Sequence, residues 1–184
     1  MNQVRIYTPL KEKVLFTLRA GQEVLLTGKM YTARDAAHMR IVRMLELQEP
    51  LPFDLKDQII YYAAPTPAPP GKVIGSCGPT SSYRMDDLTC PLLRAGVKAT
   101  VGKGQRSPKI RELMCRYKAV YFLTLAGGGA YLSARIKKAR IVAFEELGPE
   151  AVHELEVVDF PLIVGIDTQG EDIYEKIGDR KAPL

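Results

Sequence analysis

The chain is expected to fold as a mixed α/β protein, and three observations predict that class. Short runs rich in Val, Ile and Leu recur along the sequence. Between them lie segments whose apolar residues repeat at helical spacing. Three strand-like runs end in a glycine or hydroxyl residue that opens the next helix-like segment.

Taken in order, Lys13 to Ala20 and Glu23 to Thr27 read as two strands around the turn Ala20-Gly21-Gln22. From Thr32 the period changes: Ala37, Ile41, Met44 and Leu45 fall on one helical face, with Thr32 and Asp35 as a capping pair and Arg34 in the first turn. Ile59 to Ala63 is the next strand. Pro65 to Gly71, with four prolines, is a stiff connector that does not fit a central sheet.

Lys72 to Cys77 reads as a strand running into Gly78-Pro79-Thr80, after which Ser81 or Ser82 caps a helix that buries Met85, Leu88 and Leu92. Pro91 is expected to kink or restart that helix. Val97 to Val101 is a strand leading into Gly102-Lys103-Gly104, and Ser107-Pro108 is an N-cap and first-turn pair for a helix burying Ile110, Leu113, Met114 and Tyr117. Ala119 to Leu125 is strand-like, Gly127 to Gly129 open a helix through Lys137, and Val157, Leu162 to Ile166 and Ile173 suggest closing strands around the turn Asp167 to Gly170.

Residues 1–184 are read as one domain, since 184 residues with 46% hydrophobic content can bury a core without disulfide or metal support. No signal-like segment opens the chain, and no apolar run reaches the roughly 18 residues of a membrane span, so a cytoplasmic location is expected. Cys77, Cys90 and Cys115 match no zinc or iron–sulfur spacing and read as small buried residues. The net charge of +5 is spread along the chain, which disfavours nucleic acid as a partner.

A local use of positive charge fits better. Gly78-Pro79-Thr80-Ser81-Ser82-Tyr83-Arg84-Met85-Asp86 and Gly102-Lys103-Gly104-Gln105-Arg106-Ser107 both lie where a strand gives way to a helix. Backbone N–H groups, hydroxyls and cations can converge there on a carboxylate or phosphate. Neither segment has Walker A spacing, and Gly127 to Gly129 lack the dinucleotide fingerprint, leaving close helix–strand packing as their plain reading. Arg34 has two readings, an anion contact or an ion pair with a neighbouring acid, and Thr80 is either a turn hydroxyl or a reactive one.

Five ordered motifs carry a family resemblance: Thr32-Ala33-Arg34-Asp35 with Ala37-His38, Gly78-Pro79-Thr80 through Arg84-Met85-Asp86, Lys103-Gly104 with Arg106-Ser107, Gly128-Gly129, and Val158-Asp159-Phe160-Pro161. From about Gly21 to Ile177 the chain resembles the C-terminal domain, or β subunit, of class I fumarases, a family that includes L(+)-tartrate dehydratase β subunits. The resemblance implies a compact β/β/α domain of the swivelling type, whose strand-end loops form an anion site. It further implies a hydro-lyase acting on C4 dicarboxylates through a [4Fe–4S] cluster held by a partner α subunit, so that this chain is half of a hetero-oligomeric active site. Arg34, Arg84, Lys103 and Gly104 match substrate-binding positions and Thr80 the proposed base; a threonine hydroxyl is a poor base unaided, and Asp35 or Asp86 is the neighbour expected to orient it.

Departures from the common pattern are Ser81-Ser82-Tyr83 between Thr80 and Arg84, Gln105, and Pro91. Fumarate is the first expectation for substrate, tartrate the second, and a binding or assembly module without chemistry is the alternative of a different class. His38 and His153 are expected to be structural or exposed.

Overall fold

The computed structural model describes residues 3–178. Seven strands are present: β1 (Val4–Tyr7), β2 (Glu23–Thr32), β3 (Ile59–Tyr61), β4 (Ala99–Gly102), β5 (Val120–Leu123), β6 (Ile136–Ala143) and β7 (Val152–Ile166). β1 to β5 lie side by side and parallel. β7 returns antiparallel and pairs with β5 on one side and β2 on the other, so β2, β3, β4, β5 and β7 close a ring. The mixed α/β class holds, in the form of a closed sheet.

Alternation along the strands divides the packing. Tyr61, Val101 and Phe122 turn to the inside of the ring, where they meet Leu26, Met30, Val157 and Val164. Ile60 and Tyr62 turn outward and pack on α2 (Asp35–Glu46) through Ala37 and Ile41 and on α3 (Asp86–Arg94) through Leu92. Tyr121 packs on α4 (Pro108–Tyr117) through Ile110 and Met114. β6 runs along the N-terminal half of β7 and forms one end of the sheet order.

Several elements differ from the sequence reading. Lys13 to Ala20 contains a single helical turn, Glu12–Leu15, followed by tight turns that bury Leu15 and Leu18. Lys72 to Cys77 is not a strand: only Thr66, Gly75 and Ser76 exchange backbone bonds across the connector, because the prolines opposite have no N–H to donate. The helix expected through Lys137 stops at Ser133 (Gly129–Ser133), and Ile136 onward is strand β6. Ile173 begins a final short helix, Ile173–Gly178, instead of a strand. α3 continues through Pro91 to Arg94, preceded by a 3-10 turn over Ser82–Met85.

The caps also come from elsewhere. Arg34 occupies the N-cap of α2 without a side-chain bond, and the Ala36 N–H is met by Glu150 Oε2 at 2.8 Å from a 3-10 turn, Glu145–Glu150. Thr32 is buried and its hydroxyl accepts the His153 N–H at 2.9 Å. Ser81 and Ser107 make no side-chain caps. No helix among the described residues is long and apolar enough to cross a membrane.

Candidate functional site

Because β2 to β5 are parallel, their C-terminal ends open onto the same rim of the ring. Three of the segments singled out from sequence leave or meet the sheet there. Arg34 and Asp35 follow β2, Thr80 is held to the end of β3 by its N–H donating to the Tyr62 carbonyl at 2.7 Å, and Lys103 and Gly104 follow β4.

Asp35 joins two of the cations. Its Oδ2 accepts from Arg34 Nε at 3.1 Å, and its Oδ1 forms an ion pair with Arg84 Nη2 at 2.8 Å. Arg34 also lies 3.4 Å from Glu150 Oε1. Among the described residues Asp35 makes no hydrogen bond to Thr80, so the contact seen is with the arginines. Lys103 takes part in none of the ion pairs among the described residues, leaving its ammonium for an outside anion.

The Thr80 and Lys103 loops are tied by backbone pairing. Ser81 and Lys103 form a parallel bridge, the Ser82 N–H donates to the Lys103 carbonyl at 2.9 Å, and the Lys103 N–H donates to Ser82 Oγ at 3.0 Å. This approach requires Gly102, where a Cβ would collide with Ser82 Oγ. Gly104 has a φ of 81°, a left-handed conformation, with open space around it.

Beneath this rim Arg106 is buried completely at its side chain. Its Nε donates to Asp86 Oδ1 at 2.5 Å and its Nη2 to Thr89 Oγ1 at 2.8 Å. The guanidinium carbon stands 5.4 Å from the Tyr62 ring centre and 5.1 Å from that of Tyr121. Asp86 Oδ2 accepts the Ser107 N–H at 2.8 Å. The Tyr121 hydroxyl is 2.9 Å from Ser82 Oγ and 2.8 Å from the Gly104 carbonyl. Burial pushes that phenol above its ordinary range.

His38, one turn into α2, is fully buried beside Tyr62, with neither ring nitrogen bonded. Burial, reinforced by the nearby Arg106 charge, pushes it down to about 4, so it is a neutral core group at physiological pH. His153 is half-buried and held by Thr32 and Ala151, its pKa also lowered by burial.

The rim thus gathers Arg34, Asp35, Thr80, Arg84, Lys103 and Gly104, in the order the sequence motifs anticipated. A family model described as Fumarase C-terminus matches residues 1–177. The chain belongs to the fumarase C-terminal family. It is 41% identical over 177 residues to a Methanocaldococcus jannaschii protein provisionally named L(+)-tartrate dehydratase subunit beta, covering 93% of this chain and 91% of that one. The L(+)-tartrate dehydratase subunit beta of Escherichia coli is 35% identical over 186 residues, with 96% and 91% covered. Fumarate hydratase 2 of Leishmania major is 40% identical over 160 residues, which are 85% of this chain but 28% of that protein. This fumarase C-terminal chain therefore spans nearly the whole of the two β subunits and less than a third of the fumarate hydratase.

The cluster that the family resemblance implies does not fit the donors here. Among the described residues no three His, Cys, Asp or Glu side chains gather as a metal-binding group. Cys77 is buried, and that burial pushes its thiol up to about 12.

Glu150, Ser82, Tyr62 and Tyr121 carry no site role in the sequence reading, and Asp86, the alternative to Asp35 for orienting Thr80, instead holds Arg106 and the Ser107 N–H. Strand alternation alone places Tyr62 and Tyr121 on the helix-facing side of β3 and β5, which is the one signal that pointed at them.

Proposed function

We propose that this chain is the β subunit of an iron–sulfur hydro-lyase that interconverts fumarate and (S)-malate. On this reading it binds the substrate carboxylates and presents a base, and a separate α subunit carries the [4Fe–4S] cluster. The observation that carries the proposal is the convergence of Arg34, Arg84 and Lys103 with the Thr80 loop at one rim, two of the cations clipped by Asp35.

In the dehydration direction a proton leaves one malate carbon next to a carboxylate, charge builds on that carboxylate, and the hydroxyl leaves the neighbouring carbon, where the cluster on the α subunit would supply the Lewis acid that takes it. Guanidinium and ammonium groups fixed before the reaction stabilise that developing charge more than they stabilise bound malate. Lys103, without an ion-pair partner among the described residues, supplies its full charge to the anion. Arg34 and Arg84 are held by Asp35 in position, which lowers the ordering cost when the substrate docks. Thr80 is the proposed acceptor of the proton. A threonine hydroxyl is a weak base, and the surrounding cations are what favour its deprotonated form.

A second reading, dehydration of L(+)-tartrate, is supported by the two relatives bearing that name, 41% and 35% identical to this chain. Tartrate differs from malate by one hydroxyl, a difference that a hydrogen-bonding site discriminates strongly. Both readings are tested by anaerobic co-expression with the candidate α subunit and assay of malate, fumarate and tartrate. Turnover that needs both chains and disappears in Lys103→Ala supports the hydro-lyase, and the preferred acid names the substrate. An assembled, cluster-loaded complex inert toward every C4 acid overturns it in favour of an assembly module.

A further inference from the structure

We propose that Arg106 is a positioning residue that sets Lys103 against Arg84, so that the two cations meet one dicarboxylate at a fixed separation. The inference rests on the hydro-lyase reading and deepens it by adding a residue that touches no substrate. Arg106 lies three positions after Lys103, and its partner Asp86 lies two positions after Arg84. Their bond of 2.5 Å therefore joins the roots of the two loops that carry the cations.

The joint is over-determined, which is what positioning demands. Asp86 uses its second oxygen on the Ser107 N–H, so one carboxylate grips the Lys103 loop at two successive residues. Thr89 takes a further guanidinium nitrogen, and Thr89 in turn donates back to the Met85 carbonyl at 2.7 Å. Tyr62 and Tyr121 flank the guanidinium, and the Tyr121 hydroxyl reaches both Gly104 and Ser82, beside Lys103 on each side. A lysine in place of Arg106 keeps the charge but has no planar fork to serve Asp86 and Thr89 together. The loops then keep their fold and lose their mutual register.

The test is a double-mutant cycle on the assembled α–β complex, with Arg106→Lys and Lys103→Ala made singly and together, reading succinate binding in all four proteins and KM and kcat in the two that keep Lys103. Arg106→Lys alone is expected to weaken succinate binding and raise KM on the order of tenfold, the scale at which misplacement of a binding group is felt. In the Lys103→Ala background the same change is expected to weaken succinate binding less than about twofold, because the residue it acts through is gone. Tyr121→Phe, which preserves packing and removes only the hydroxyl, runs through the same cycle and serves if Arg106→Lys does not fold. Penalties that add in full, or no penalty from either variant, overturn the positioning role while leaving the hydro-lyase reading intact. A wild-type complex that neither binds succinate nor turns over any C4 acid overturns both.

Discussion

Ser82 and Lys103 hold each other twice: the Ser82 N–H donates to the Lys103 carbonyl at 2.9 Å, and the Lys103 N–H donates to Ser82 Oγ at 3.0 Å. The serine is fully buried, so the second bond is made away from water. Ser82→Ala leaves the Lys103 N–H without its acceptor, and an unsatisfied buried donor costs about 1–3 kcal/mol. Urea unfolding of the two proteins at pH 7 is expected to show a loss in that range. An unchanged midpoint would mean that the loop relaxes and water replaces the hydroxyl.

Gly102 and Gly104 flank Lys103 and are expected to respond differently to alanine. At Gly102 a Cβ meets Ser82 Oγ, and Tyr62 Cδ2 lies 3.0 Å away, with Ser82 pinned by the paired bonds above. Overpacking of that kind costs about 1–3 kcal/mol and displaces the Lys103 loop. At Gly104 the space is open and the cost is the left-handed backbone alone, about 1–2 kcal/mol. Thermal melts with turnover measured alongside should show Gly102→Ala losing both stability and activity, and Gly104→Ala losing stability with a smaller fall in activity.

The class of the fold and the rim were legible because they rest on local signals. The strand run before Gly102-Lys103-Gly104 places a loop at the rim where parallel β4 ends, whereas Thr80 arrives there through its N–H bond to the Tyr62 carbonyl and not through the strand expected before it. What failed was decided by partners distant in sequence. Ile136 to Ala143 has the Lys, Arg and Ala content of a helix, yet it lies beside β7 and pairs with it as a strand. Leu15 and Leu18 already stood at helical spacing, a signal that the strand reading of Lys13 to Ala20 passed over. Glu150 and Asp86 accept the Ala36 and Ser107 N–H groups at the starts of helices, 114 and 21 residues away, which no N-cap pattern contains. The contact between Asp35 and Arg84 likewise exists only after two helices have docked on the sheet.

His38 predicts an acid-side loss of stability. Its pKa is held down to about 4 in the folded protein against an ordinary value of 6.5, so the unfolded chain binds the extra proton first as pH falls. The contribution is fully present above about 6.5 and is lost as pH falls from 6.5 to 4, the loss reaching about 3 kcal/mol once both states are protonated, at 1.36 kcal/mol per pKa step. The ring nitrogens have no partner of full hydrogen-bond geometry, although the Ala33 and Leu88 backbone lies close enough to favour the protonated form, so His38→Leu is expected to cost at most about 1 kcal/mol at pH 7. Chemical denaturation at pH 7, 5.5 and 4.5 should show the variant gaining on the wild type as pH drops. A constant difference across the three would contradict the assignment.

Asp35→Asn separates position from charge at the rim. The carboxylate holds Arg34 and Arg84, both partly exposed, so its stabilising contribution is that of a surface pair, at most about 1 kcal/mol. Its functional contribution is larger if the arginines must be held in place before substrate arrives. The expected outcome is a melting temperature within a few degrees of wild type and a KM raised on the order of tenfold. A lower KM would mean instead that Asp35 competes with the substrate carboxylate for the two arginines.

Thr80 is the residue whose two readings divide most cleanly by experiment. Its backbone is fixed by the N–H bond to the Tyr62 carbonyl, which a side-chain change leaves in place. Thr80→Val keeps the shape and β-branching and removes only the hydroxyl, so a turn role predicts little change in turnover. A proton acceptor predicts a fall in kcat of about 100-fold or more with KM nearly constant, since proton transfer contributes to the transition state alone. Thr80→Ser restores a hydroxyl at the same carbon and should recover much of that rate. If valine and serine variants are equally active, Thr80 shapes the loop, and the proton goes to a group outside this chain.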